Sequence, residues 1–192
     1  MQTFVLTAFA DSARVKQQFA QEHADRIVQV ATLIAEAFRK GNKVLLFGNG
    51  GSSTDAAHIA AEFVGRYQRE RMPLPAIALA TDIAAITCIA NDYGYEELFA
   101  RQVRAHGRQG DIAIGISTSG NSPNVLKGIA AARECGLTTI AWTGANGGKL
   151  AGLVDYPFIV PSMVTSRIQE SHITLGHVLC ELVEDHLLGK AS

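Results

Sequence analysis

Five short apolar runs recur along the chain: KVLLF at 43–47, AIALA at 76–80, DIAIGIS at 111–117, TTIAW at 138–142 and YPFIV at 156–160. They do not alternate polar with apolar residues, as a half-exposed strand would. A strand that is apolar throughout belongs in a parallel sheet covered on both faces. Between the runs lie stretches of helical periodicity at 54–68, 82–89, 95–106 and 123–135, a short one near 148–152, and a long one from about 165 to 188. Strand and helix alternating through short Gly- and Ser-rich turns predict a three-layer α/β domain. Upstream, 8–22 and 24–40 are also periodic, so helices are expected before the first strand. Ile27, Val30, Ala31, Ile34, Ala35 and Phe38 form the apolar stripe of the second, and Gly41 closes it. These leading helices and the last one carry more apolar surface than one sheet face needs. An oligomer interface is the reading preferred here; a larger single-chain core is the plainer alternative.

The chain has 192 residues, 47% of them hydrophobic and 18% charged, which suits one globular domain over 1–192 with 1–40 as a helical extension. A net charge of −1 argues against a broad nucleic-acid or anionic-membrane footprint. No run approaches the ~20 apolar residues a spanning helix needs, and MQTFVLTAFADSARV lacks the basic start of a secretory signal. Cys88, Cys135 and Cys180 are odd in number and far apart in apolar contexts, as in a reduced cytoplasmic protein.

In such sheets ligands gather at the carboxyl ends of the strands. Polar turns fall at four of those ends: GNGGSS, ATD, STSGNS and TGANGG. GNGGSS is not a Walker A loop, since no Gly-Lys-Ser/Thr follows, and it is not GxGxxG, since position 53 is Ser. A tight turn needs one or two Gly; three, with Asn49 and two Ser, suit close approach of backbone to a ligand. Ser117-Thr118-Ser119-Gly120-Asn121-Ser122 leads into a helix at Pro123. Hydroxyls around free N–H groups at a helix start make a phosphate site built on neutral donors; a capped turn without ligand is the alternative.

His58 and Glu62 share one helical face, a spacing that serves metal ligands and acid/base pairs alike. An ordinary surface contact, or a Glu62–Arg66 ion pair, is the bland reading. RIQESH at 167–172 opens the otherwise apolar last helix. There, spacing alone favours His172 as the functional histidine, and His177, among Leu175, Val178 and Leu179, reads as a core residue.

Taken together, GNGGSS, HIAAEFVGRY, AIAL, IANDYGY, GISTSGNS, TGANGGKLA and RIQESH resemble the sugar-isomerase (SIS) domain family and, within it, the phosphoheptose isomerases. The resemblance spans nearly the whole chain in order and spacing. It implies a flavodoxin-like, five-stranded parallel sheet flanked by helices, and a homotetramer with active sites at subunit interfaces. It implies an aldose–ketose isomerase that converts a ketose 7-phosphate, sedoheptulose 7-phosphate, to its aldose through an enediol. Carried over by position, substrate-binding residues are Asn49, Gly50, Gly51, Glu62, Asn91, Asp92, Ser117, Thr118, Ser119, Ser122 and Gln169. The acid/base pair is Glu62 and His177, which lifts His177 over His172. Zinc, one ion per subunit, would be held by His58, Glu62, Gln169 and His177. Ser166 departs from members with Asp there, so an acidic partner at that position is missing. Two rivals share the fold: a non-catalytic protein that binds the bacterial replication initiator, and a sugar-phosphate sensor. The presence of His58, Glu62 and His177 favours the enzyme.

Overall fold

The computed structural model describes residues 1–189. Helix α1 (Gln2–Arg39) leads into β1 (Val44–Gly48), α2 (Gly51–Val64), β2 (Ala76–Ala78) and α3 (Ile83–Tyr93). After a 3₁₀ turn come α4 (Leu98–His106), β3 (Ile112–Ile116), α5 (Pro123–Glu134) and β4 (Thr138–Gly144). A second 3₁₀ turn, at Leu150–Leu153, precedes β5 (Tyr156–Val160) and α6 (Thr165–Leu188). The five strands are all parallel, in the order β2-β1-β3-β4-β5. Strand order reverses between β1 and β3, and that switch is where a doubly wound sheet opens a crevice for ligands.

The unbroken apolar strands are explained by helices on both faces. Leu46, Ile114, Ile140 and Trp142 face one side and pack with α1, α2 and α6. Leu45, Phe47, Ala113 and Ala141 face the other and pack with α3, α4 and α5. Adjacent residues on one strand thus enter different cores, as the period of two requires. Register sets Gly48 beside Ile116 and Ile116 beside Trp142, so the loops after β1, β3 and β4 leave the sheet at one level.

Several segment boundaries differ from expectation, two of them with a plain physical cause. The periodic stretches 8–22 and 24–40 are one helix of 38 residues. No Gly or Pro interrupts them, and His23 continues the stripe from Phe19 to Ile27. Its ring lies 4.8 Å from that of Phe19, and Nε2 meets the Ile159 carbonyl at 3.2 Å. Helix α2 starts at Gly51, inside the Gly turn, because Gly50 (φ +56°) reverses the chain at once. The start of α1 carries exposed apolar side chains, with Phe4 78% and Phe9 75% exposed. No helix among the described residues is long and apolar enough to cross a membrane.

Candidate active site

The four polar turns divide into two that build a site and two that brace it. Asp82 of ATD accepts from Ala85 N at 3.0 Å and caps α3. TGANGG packs under the loop after β3. A Cβ on Gly120 (φ +65°) would stand 2.1 Å from the Gly147 carbonyl, so only Gly fits there. Leu150 N donates to the Gly120 carbonyl at 3.0 Å and Lys149 N to Asn121 Oδ1 at 3.2 Å. So supported, the second loop gathers its hydroxyls. Ser117 Oγ lies 2.9 Å from Ser122 Oγ and 3.4 Å from Ser119 Oγ, with Pro123 opening α5 behind them. Thr118 is half-buried in the same turn. The cluster combines hydroxyl donors with a helix start, as an anion site requires.

The loop after β1 faces it. Gly51 lies so close to α6 that a Cβ there would be 2.4 Å from Gln169 Nε2 and 2.8 Å from its Oε1. The third Gly of GNGGSS therefore makes room for the Gln169 amide, a second reason for it beside close approach to a ligand. Asn91 and Asp92 lie on the exposed end of α3, where Asn91 Nδ2 donates to Asp92 Oδ1 at 2.8 Å. Among the described residues, no hydrogen bond joins them to the other candidates.

Behind the loops, α2 and α6 pack closely because Gly176 admits Ile59: a Cβ on Gly176 would fall 2.5 Å from Ile59 Cδ1. This contact brings His58 and Glu62 to His177. His58 Nε2 lies 3.1 Å from Glu62 Oε1 and 3.3 Å from His177 Nε2. The Glu62–Arg66 pair does not form. Arg66 instead approaches Glu70 at 3.7 Å, while Arg71 donates to the Glu62 carbonyl at 2.8 Å. Arg71 and Glu184 form a buried ion pair at 3.0 Å, their side chains 3% and 2% exposed. Burial pushes the Glu184 carboxyl up, but the N–H groups of Tyr67, Gln68 and Arg69, with Arg71, outweigh it and hold it below its ordinary range. That clamp fixes the turn after α2 and lays the Tyr67 ring on His177, stacked at 5.5 Å.

The two histidines of α6 exchange the roles that local spacing gave them. His177 is half-buried at the site. His172 is fully buried, with Nε2 3.1 Å from the Thr143 carbonyl, and burial lowers its pKa to about 4. Asp55, one turn before His58 on the same face, was missed. It is buried, Oδ2 has no partner, and burial raises its pKa while Gln169 and His58 oppose the rise. The spacing of 55, 58 and 62 held that signal. Tyr67, Arg71 and Glu184 had no local signal, since their partners are more than a hundred residues away in sequence.

His58, Glu62 and His177 each offer a ligand atom, all within 4.8 Å of one another. A tetrahedral site with metal–nitrogen bonds of about 2.05 Å sets neighbouring donors about 3.3 Å apart. The contacts of 3.1 and 3.3 Å match that edge length, so the group has the chemistry and spacing to hold a metal ion.

A doubly wound sheet, a hydroxyl-rich anion loop and a His–Glu–His group at its switch point describe a sugar-phosphate enzyme of the SIS class, and the family model described as "SIS domain" matches residues 9–144. The chain is 62% identical over 177 residues to "Phosphoheptose isomerase" of Aquifex aeolicus (strain VF5), covering 92% of this chain and 93% of that one. It is 61% identical over 180 residues to "Phosphoheptose isomerase" of Thermodesulfovibrio yellowstonii, covering 94% and 90%. Among solved structures, phosphoheptose isomerase GmhA from Neisseria gonorrhoeae is 44% identical with a TM-score of 0.91, covering 96% of this chain and 98% of that one. The chain belongs to the phosphoheptose isomerase family.

Proposed function

We propose that this protein converts open-chain sedoheptulose 7-phosphate to D-glycero-D-manno-heptose 7-phosphate, the first step of activated-heptose biosynthesis. The observation that carries the reading is the His58–Glu62–His177 group held behind two loops suited to a sugar phosphate. Ser117, Thr118, Ser119 and Ser122 grip the phosphate; Asn49, Gly50, Gly51, Asn91, Asp92 and Gln169 line the path of the sugar. The Glu62 carboxylate takes a proton from C1, its electrons form the C1–C2 double bond, and the C2 oxygen gains a proton from His177. From that enediol, His177 recovers the proton of the C1 oxygen and Glu62 returns one to C2, which leaves the aldose. Glu62 Oε1 faces His58, which leaves Oε2 for proton transfer.

His58, Glu62 and His177 suit zinc, and with Gln169 they would hold one ion per subunit. When bound there, zinc supplies Lewis-acid polarisation of the substrate carbonyl. The trio lies at a partly exposed surface, with the His58 side chain 48% exposed. A hollow of about 590 Å³ lies at the opposite end of the sheet, by Lys40, Asn42 and Tyr156. An open site favours completion by a neighbouring subunit, and so a homotetramer with interfacial active sites in which residues 1–40 of the single SIS domain supply contacts. We place the enzyme in the cytoplasm, with its product open to use in an envelope polysaccharide such as lipopolysaccharide, a glycosylated surface protein or a secondary metabolite.

Purified protein incubated with ketose phosphates of differing chain length tests the reading. Aldose forms fastest from the seven-carbon substrate. No aldose from any of them, together with specific capture of a replication initiator, would replace the isomerase with the initiator-binding alternative.

A further inference from the structure

Asn49 and Asn124 form a reciprocal amide pair across the crevice. Asn49 Nδ2 donates to Asn124 Oδ1 at 2.9 Å, and Asn124 Nδ2 donates to Asn49 Oδ1 at 2.8 Å. The Tyr95 hydroxyl donates to Asn49 Oδ1 at 3.0 Å, and Val125 N to Asn124 Oδ1 at 3.0 Å. Each amide oxygen thus accepts two hydrogen bonds, which fills both lone pairs. Asn124 is 2% exposed, in the first turn of α5 directly behind the Ser122 loop. The pair therefore ties the loop after β1 to the loop after β3, and Tyr95 adds the segment between α3 and α4.

We infer that Asn124 is a positioning residue that sets the span between the sugar loop and the phosphate loop, and that Asn49 meets substrate through its main chain and its one remaining amide N–H. The inference rests on the isomerase reading and deepens it. An isomerase must hold the phosphate at one end and C1 at the other in a single geometry, and small misplacement costs rate steeply. The two loops leave different strands, and neither hydroxyl cluster nor metal group fixes the distance between them. The reciprocal amide pair, with both of its oxygens filled, does. It also removes Asn49 Oδ1 from the acceptors open to sugar hydroxyls.

A double-mutant cycle on Asn49→Ala and Asn124→Ala tests this, with calorimetric binding of inorganic phosphate beside steady-state kinetics. Asn124→Ala is expected to raise KM for sedoheptulose 7-phosphate about tenfold and to lower kcat, while inorganic phosphate binds within about threefold of wild type. The double variant is expected to lose little more than either single variant, because each acts through the other. Fully additive losses, an unchanged KM, or phosphate binding that falls in step with sugar-phosphate binding would overturn the inference. Should Asn124→Ala not fold, Asn124→Asp keeps the shape but cannot donate to Asn49, and the same outcomes apply. Failure of the isomerase reading shows separately, as wild-type protein that turns over no ketose phosphate.

Discussion

His172 and His177 stand on one helix and meet different surroundings, which shows what a single residue's environment decides. His172 is sealed between α6 and β4, where its ring lies 6.2 Å from that of Trp142 and Nε2–H donates to the Thr143 carbonyl. Charging it there is costly, so its folded pKa is about 4 against an ordinary 6.5. Between those values the unfolded chain takes up a proton that the folded chain refuses. The stability it confers is therefore whole above pH 6.5 and drains as pH falls toward 4, about 3 kcal/mol in all. Urea midpoints measured from pH 7 to pH 4.5 should fall more steeply for the wild type than for His172→Asn, which stays neutral; parallel curves would refute the assignment. At this scale the sequence was partly legible. The i, i+4 spacing of His58 and Glu62 survived intact, but the choice between His172 and His177 depended on the tilt of α6 against α2. Apolar periodicity does not encode that tilt; resemblance alone pointed to His177.

Gly176 is where α6 meets α2, and the two helices carry His58, Glu62 and His177 between them. Gly176→Ala would press a methyl into Ile59 and against Trp142, whose Cη2 stands 3.2 Å from the new carbon. Overpacking of this kind costs about 1–3 kcal/mol, and the helices relieve it by moving apart. Zinc affinity should then fall at least tenfold in titrations with the metal alone, alongside a lower Tm. An unchanged zinc affinity would mean that the packing does not set the spacing of His58 and His177. The elements themselves were legible because each strand is apolar on both faces and each turn is marked by Gly, Ser or Asp. YPFIV and 165–188 agree with β5 and α6 residue for residue. The junction within α1 was not legible, since a polar stretch without Gly or Pro looks alike in a loop and on the exposed side of a long helix. The division of the four turns was hidden too, because TGANGG braces a neighbouring loop through contacts made only in the folded chain.

The molecule as a whole gathers its candidate site at the β1/β3 switch and leaves Phe4, Val5, Leu6 and Phe9 exposed at the start of α1. An apolar patch of that kind is covered in a stable assembly, and the tetramer proposed above supplies the cover. Phe4→Asp with Phe9→Asp should shift the mass in light scattering from tetramer toward smaller species and lower turnover with it; a wild-type protein that is monomeric at working concentration would contradict the interfacial site. Fold class was readable from strand and helix alternation, and strand order was carried by resemblance to the family. Assembly was legible only as surplus apolar surface, which does not name its partner. In the mechanism proposed above, Glu62 and His177 interconvert a seven-carbon ketose and aldose phosphate. Its most direct measurement follows aldose formation from sedoheptulose 7-phosphate by NMR with wild type and Glu62→Gln. Aldose is expected from the wild type, with a loss of about 100-fold or more in the variant; aldose at near wild-type rate from Glu62→Gln, or none from the wild type, would contradict these roles.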